Sequence, residues 1–563
     1  SALDGSTHYL SSQGLRVGAL LWAVLTPIRR GTPTLPAAGS LLLLATLGLG
    51  LLASERLAVG LDLWASAAVA AAVFVQAGRA EPRWLECSAK GIVIAGCAQA
   101  LWAAAQWLFA SGRPSGGFFN PNYLAAWLAI CSMWTLSQGG RWRLWATPVL
   151  IAGVLATGSR SATLGLVLGI AVHGVFRLGV RAGLALTVAG IGAALAFVLR
   201  GRWVSDLDSY GFDRVQIWPT ALKAGWLESW GWGLGDASHA FRMVGVELDH
   251  GAVRFPKVAY HAHNELLQLW VELGWLSLMV VAALLLALSP LKRTPKTFSV
   301  VAAAAVPALL GGPLRVPVIL CTIALFLGSE LNDTTQEREG PALGPLVLAL
   351  AAIGLAVAFP GNVARLLRDQ AARLQVTGTI DEARRRAEWA EALTPGDASI
   401  PLQAAALRYQ QDQNAQTALE TLYDLVERYP GDPRPPERAE RVLGSLSASV
   451  ERDRALLDVL NIRAAREPNS ALVQVKRARA LLRLNRADAA RKALQHALVI
   501  EPNCANALAL LATQSSDPAQ AKRLAAHALK AHRASKFHWK YPKAVLALSP
   551  GLEKIAKGFD PRS

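Results

Sequence analysis

The sequence predicts an all-α chain: a polytopic membrane helical bundle of about 12 transmembrane helices with one large outer loop, followed by a soluble α-helical solenoid. Three observations predict it. First, apolar runs follow one another from about Leu15 to Pro360, as in "SLLLLATLGLGLLAS" from Ser40 and "WASAAVAAAVFV" from Trp64. A helix needs roughly 20 largely apolar residues to cross the hydrocarbon core, and about eleven or twelve such runs are present. Second, the chain turns charged and Arg-rich after Pro360, as in "DEARRRAEWAEAL". Third, prolines at 395, 430, 468 and 502 recur at intervals of 35, 38 and 34 residues, with paired amphipathic stretches between them. The whole-chain averages, 53% hydrophobic and 17% charged, conceal this division.

Each element can be justified in order. Residues 1–14 begin "SALDGSTHYL", which reads as an expression remnant and is set aside. Residues 15–360 are the membrane domain. Lys and Arg in short loops set orientation. The clusters Arg29/Arg30, Arg79/Arg83/Lys90, Arg141/Arg143, Arg177/Arg181 and Lys292/Arg293/Lys296 share the cytoplasmic side. The turns near "ASERLAV", "SGRPSGGFFNPN" and "TGSRS" then lie outside, together with the long segment 201–262. Within that segment "DRVQIWPTALKAGWLESW" has helical spacing, with Ile217, Trp218, Ala221, Leu222 and Gly225 along one side, and its tryptophans suit the headgroup level. "GWGLGD" is a tight turn; it lacks the strand–loop–helix setting and the lysine of a phosphate loop. Asn264–Leu288 reads as one long span. The cysteines, Cys87, Cys97, Cys131, Cys321 and Cys504, form no CxxC pair and read as buried structural thiols.

Residues 361–563 hold the repeats. A helical hairpin of about 34 residues closed by proline resembles the tetratricopeptide repeat, which implies a surface for a protein partner rather than chemistry. The basic, aromatic-interleaved tail from Lys522 suits either anionic headgroups or a solvated cap. Parity places the repeats. If Phe298–Leu310, Val316–Leu327 and Pro345–Phe359 each cross, the repeats stand on the outer side. Arg365 and Arg368 after the last run oppose this, and "LLGGPLRVPV" as a re-entrant turn would invert it.

The chemistry gathers at "YHAHNELLQLWVELGW", residues 260–275. His261 and His263 stand at the outer mouth of a span, where a neutral imidazole can take a proton from an alcohol near pH 7. Arg160 and Arg214 fall on the same face, and arginine forks onto phosphate oxygens. A base with two phosphate clamps suits attack of a hydroxyl on the anomeric carbon of a sugar carried on a lipid diphosphate. No acidic or cysteine cluster completes a tetrahedral metal site around the two histidines, so neither metal nor cofactor is expected. A transporter would place its polar groups near the bilayer midplane in two similar halves, and a pure scaffold would need none of them.

Four pieces in order carry a resemblance: "GGFFNPNYLAAWL" (Gly116–Leu128), "TGSRSATLGLVLG" (Thr157–Gly169), "DRVQIWPTAL" with "SWGWGLGDASHAF", and "YHAHNELLQLWVELGW". Together they resemble the bacterial O-antigen ligase and O-antigen polymerase superfamily. The resemblance implies His263 as base and Arg160 and Arg214 as diphosphate binders. It marks His261, Asn264, Asn120 and Asn122 as substrate-binding candidates. It further implies an inner-membrane glycosyltransferase with a periplasmic site, an undecaprenyl-diphosphate-linked glycan donor, and a lipid, glycan or protein acceptor. No nucleic acid is expected. A protein O-oligosaccharyltransferase of the same superfamily is the nearest alternative, and a transporter of polysaccharide or lipid-linked sugar the more distant one.

Overall fold

The computed structural model describes residues 5–26, 34–109, 113–118, 120–181, 192, 214–245, 259, 261–331, 343–394, 397–535 and 551–557. Among them every regular element is helical. The membrane part supplies α1 (Gly5–Leu25), α2 (Thr34–Leu52), α3 (Leu57–Ala77), α4 (Pro82–Phe109), α5 (Pro121–Leu136), α6 (Arg143–Ala156) and α7 (Arg160–Leu178). After α8 (Arg214–Leu227) and α9 (Ala237–Val244) come α10 (Glu265–Leu273), α11 (Leu276–Leu288), α12 (Pro295–Leu309), α13 (Pro317–Leu331) and the long α14 (Leu343–Thr377). Then follow α15 (Ile380–Leu393), α16 (Ser399–Asp412), α17 (Ala415–Arg428), α18 (Arg434–Ser445), α19 (Val450–Arg466), α20 (Ala471–Arg483), α21 (Ala487–Ile500), α22 (Ala505–Gln514), α23 (Pro518–Ser535) and α24 (Leu552–Ala556).

The chain divides into two compact units. The first takes residues 1–209, 225–237 and 261–400; the second takes 210–224, 238–260 and 401–563. In the first unit, five described helices are long and apolar enough to cross a membrane by length and composition, and five shorter apolar ones accompany them. The figure of about 12 spans is a sequence expectation that takes in stretches outside the described residues.

Small residues set how closely these helices pack, as expected where lipid provides no hydrophobic drive between them. A Cβ on Gly39 of α2 would lie 2.5 Å from the Ala287 nitrogen of α11. On α7, a Cβ at Gly165 would lie 2.8 Å from the Ala303 oxygen of α12. On α13, one at Gly328 would lie 2.5 Å from the Phe74 oxygen of α3. The centre is α5, whose residues from Leu124 to Thr135 are all buried; Trp134 stacks on Phe326 at 4.8 Å. Outward faces keep Leu101, Trp102, Leu108, Leu278 and Leu285 exposed, as a lipid-facing surface requires. Cys97 and Cys131 are buried as expected and Cys321 is half-buried; Cys87 corrects the reading, because α4 turns it outward and it is exposed.

Two expected runs change shape. Asn264–Leu288 is not one helix: Gly274 breaks it between α10 and α11 with φ +53°. The turn at 228–233 presses on this point, and a Cβ at Gly274 would lie 2.0 Å from the Ser229 oxygen. "LLGGPLRVPV" joins two antiparallel helices, α12 and α13, through a 3₁₀ turn at Pro313–Arg315. Their far ends meet where Lys296 Nζ lies 2.7 Å from Glu330 Oε1, so the two runs traverse the same thickness. α14 follows α3 in the opposite sense and reaches its start, where Asn362 Nδ2 donates to Asp62 Oδ1 at 3.0 Å. It continues through Pro360 to Thr377 without interruption.

In the second unit each helix from α17 to α23 packs on the next one in the chain, the arrangement of a solenoid. Pro430, Pro468 and Pro502 each stand two residues beyond the end of α17, α19 and α21. That is where a missing N–H and a fixed φ stop a helix. Pro395 lies outside the described residues. Interior faces are lined by Ala and Leu, as at Ala478, Leu481, Ala490 and Leu494. Residues 238–245 belong to this unit: His239 Nδ1 lies 3.2 Å from the Gly431 oxygen, and Asn469 Nδ2 donates to the Met243 oxygen at 2.9 Å.

Candidate active site

One end of the first unit collects the starts of α5, α7 and α10 and the α2–α3 and α12–α13 turns. Asn120 caps α5, its Oδ1 accepting from the Asn122 N–H at 2.8 Å. Arg113 ties this turn to the next: Nη2 donates to Asn122 Oδ1 at 2.8 Å and Nε to the Thr157 oxygen at 3.0 Å. Gly158 then takes φ +63° and Ser159 opens α7, leaving Arg160 exposed at its first turn. The Asn-Pro-Asn and Ser-Arg motifs are thus neighbours held by one guanidinium, although some forty residues separate them.

The His-Ala-His segment is built with more constraint. His263 has φ +52°, a conformation that costs a residue with a Cβ on the order of 1 kcal/mol or more. Asn264 caps α10, its Oδ1 accepting from the Leu266 and Leu267 N–H groups at 2.9 and 3.1 Å. Ala262, buried between the histidines, donates its N–H to Gln268 Oε1 at 2.7 Å. His261 and His263 are exposed, their ring centres 6.5 Å apart.

Behind them lies a polar core that draws Gln268 and Glu272 from the His-Asn motif itself. Glu265, Gln268 and Glu272 share one face of α10 and are all buried. Gln268 Nε2 donates to Glu272 Oε1 at 2.7 Å, and Arg315 Nη2 donates to Glu272 Oε2 at 2.9 Å. Glu265 accepts the Leu314 N–H at 3.2 Å, and its other oxygen lies 3.5 Å from Arg315 Nε. Crowding by protein atoms, then the Arg315 guanidinium, His263 and Arg56, hold the His261 pKa down, to about 4, with Glu272 opposing. The exposed edge of the ring limits that shift, while its direction keeps His261 neutral near pH 7.

The "GWGLGD" turn is confirmed as tight, with positive φ at Gly231, Gly233 and Gly235. It ends in the buried Asp236, whose Oδ2 accepts from Ser54 Oγ at 2.8 Å and from the Arg56 N–H at 3.2 Å. Burial pushes this carboxyl up to about 6 against those bonds. Arg214 begins α8 and belongs to the second unit. On that helix Ile217, Ala221 and Ala224 are buried while Leu222 is exposed, so the apolar side runs through Ala224 rather than Leu222. Among the described residues no three His, Cys, Asp or Glu side chains are arranged to hold a metal ion.

Residues 145–282 match the Wzy_C family model, O-antigen ligase. That stretch is similar to an O-antigen ligase domain. That match takes in Arg160, Arg214, His261, His263, Asn264 and the buried Gln268 and Glu272. No curated protein matches the chain. Among solved structures, a MamA double mutant is 18% identical, covering 32% of this chain and 99% of its own at a TM-score of 0.27. MamA from Desulfovibrio magneticus RS-1 is 18% identical over 32% of this chain and 99% of its own, at 0.26. Yeast Tom70 is 12% identical over 84% and 99%, at 0.27. The repeats form a solenoid by the packing of their own helices.

Sequence reasoning finds His261, His263, Asn264, Asn120, Asn122 and Arg160 at or beside this end of the bundle. It misses Arg113, and it misses Glu265, Gln268, Glu272 and Arg315 as a connected set. Gln268 and Glu272 stand inside the His-Asn motif; their spacing of four, with Glu265 three earlier, is the available signal. Arg315 sits in a turn whose sequence speaks only to topology.

Proposed function

We propose that this protein is an inner-membrane glycosyltransferase that moves a glycan from an undecaprenyl-diphosphate-linked donor to an acceptor hydroxyl on the periplasmic face. The observation that carries the reading is that the O-antigen ligase match spans Arg160, Arg214 and His263 together. In this reading the His263 imidazole accepts the proton of the acceptor hydroxyl. The oxygen then forms a bond to the anomeric carbon as the bond to the diphosphate oxygen breaks, and the Arg160 and Arg214 guanidiniums take up the charge on the leaving diphosphate. The exposure of His263 and of Arg160, on a face made rigid by Arg113 and Gln268, supports these roles. His261, Asn264, Asn120 and Asn122 frame the substrate. Two of these asparagines already use a side-chain oxygen as a helix cap, which leaves their amide groups for sugar hydroxyls.

The loop contacts of His239 and Met243 with Gly431 and Asn469 support repeats on the same side of the membrane as the large loop. The passage of α14 to the start of α3 supports an exit of the chain on that side as well. The repeats favour a macromolecular acceptor or partner, so protein O-oligosaccharyl transfer is the second reading.

Purified protein in detergent, given an undecaprenyl-diphosphate oligosaccharide and a panel of lipid A-core, glycan and protein acceptors, should release undecaprenyl diphosphate and should do so in EDTA. Substrate flux across liposomes without bond cleavage would replace this reading with transport.

A further inference from the structure

We propose that Arg315, outside the O-antigen ligase match at 145–282, is a positioning residue for the transfer reaction, holding the His-Ala-His segment through Glu272 and Gln268. The inference rests on the reading of His263 as base and deepens it.

The geometry is a chain of three hydrogen bonds. The Arg315 guanidinium donates to Glu272 at 2.9 Å. Glu272 accepts from the Gln268 amide at 2.7 Å. This contact orients the amide, because its nitrogen must face the carboxylate and its oxygen must then face away. That oxygen accepts the Ala262 N–H at 2.7 Å, one residue before His263. His263 is the residue held at φ +52°. A left-handed residue outside a glycine persists only where its surroundings over-determine it. Here the Asn264 cap fixes the following residue and the Gln268 bond fixes the preceding one.

Arg315 is suited to hold this core for electrostatic reasons. Glu265 and Glu272 are both buried on one helical face, with 10% and 1% of their side chains exposed. Two such carboxylates repel unless a cation stands between them, and the only cation paired with them among the described residues is Arg315. It comes from the α12–α13 turn, so the register of that hairpin is transmitted to the base. Tyr123, just after the Asn-Pro-Asn motif, lines the same spot: a Cβ placed on Gly312 would meet Glu265 Oε1 at 3.7 Å and Tyr123 Oη at 3.9 Å.

The test has two readouts on the full-length protein in detergent. In hydrogen exchange, the amide of Ala262 should be protected in the wild type and exchange at least about tenfold faster in Gln268→Ala and Arg315→Met. Arg315→Lys should recover part of the protection, because charge without the planar fork still separates the carboxylates. In release of undecaprenyl diphosphate from the oligosaccharide donor, kcat should fall about 10–100-fold with KM within about twofold, the pattern of a misplaced base. Gln268→Ala leaves no unpaired charge, so it keeps the test open if Arg315→Met does not fold. Unchanged Ala262 exchange in Gln268→Ala and Arg315→Met overturns the positioning role. Faster exchange in a protein whose wild type releases no undecaprenyl diphosphate overturns the proposed reaction and leaves the positioning of the segment standing.

Discussion

The mouth of the membrane bundle and the helical repeats use the same ions in opposite ways. In the repeats, Arg428 with Asp424 and Arg441 with Glu437 are exposed pairs one helical turn apart, with side chains 38–60% open. One inner network, Arg463 with Glu440 and Glu467, joins α18 and α19. In the first unit, beside exposed pairs such as Lys90 with Glu86, two clusters are buried and long-range. Arg16, 3% exposed, forks onto Asp62 at 2.5 and 2.9 Å, and Asn362 and Arg365 close on the same carboxylate from α14. Arg315 does the same for Glu265 and Glu272. An exposed pair is screened by water and replaceable, whereas a buried one leaves an uncompensated charge when either partner is removed. The exposed pairs of the repeats are therefore surface, and the buried charge at the mouth is architecture and chemistry.

The comparison is sharpest where chemistry is expected. His263→Ala should lower turnover about 10²–10⁴-fold, the scale of general acid–base catalysis, with donor binding retained. Wild-type turnover in this variant would reduce the mouth to architecture. Next comes the buried network away from the base: Asp62→Ala should cost about 3–5 kcal/mol in a reversible unfolding titration in mixed micelles, since Arg16 and Arg365 lose their counter-ion. A loss below about 1 kcal/mol would mean that water reaches the cluster. Arg160→Lys should slow release about tenfold or more with the melting temperature unchanged, because the charge stays and the fork is lost. Equal rates would show that charge alone matters there.

Smaller effects test the other side. His261 binds its proton less readily when folded, through crowding and through Arg315, His263 and Arg56, with Glu272 opposing. Between its folded value of about 4 and the ordinary 6.5 the unfolded chain binds more protons, so stability should fall as pH drops through that window. His261→Gln should flatten the fall in a set of melting curves from pH 7 to 4. Smallest of all, Arg441→Ala should cost only about 0.3–0.5 kcal/mol and leave turnover untouched. A large loss in turnover would assign the repeats a part in the reaction itself.

Much of this molecule is legible in the order of its residues alone. Unbroken apolar runs announce membrane helices because a single segment in hydrocarbon can satisfy its own backbone only as a helix, and prolines announce the ends of α17, α19 and α21 because they cannot continue a helix. His263, Asn264 and Arg160 are legible as motif residues because each lies within a few positions of the turn that presents it. All of these are local consequences of residue type along the chain.

Only the tertiary structure decided what stands behind them. The break at Gly274 exists because another turn packs within 2.0 Å of where its Cβ would be. The link between Asn122 and Thr157 exists because Arg113 reaches both. Arg315 meets Glu272 across 43 residues, and Asn362 meets Asp62 across 300. Helical periodicity repeats every few residues and records which face is apolar, so it carries no information about which buried acid a distant arginine will find. That choice is made when the helices close on one another, where leaving either charge unpaired in a dry interior costs several kcal/mol.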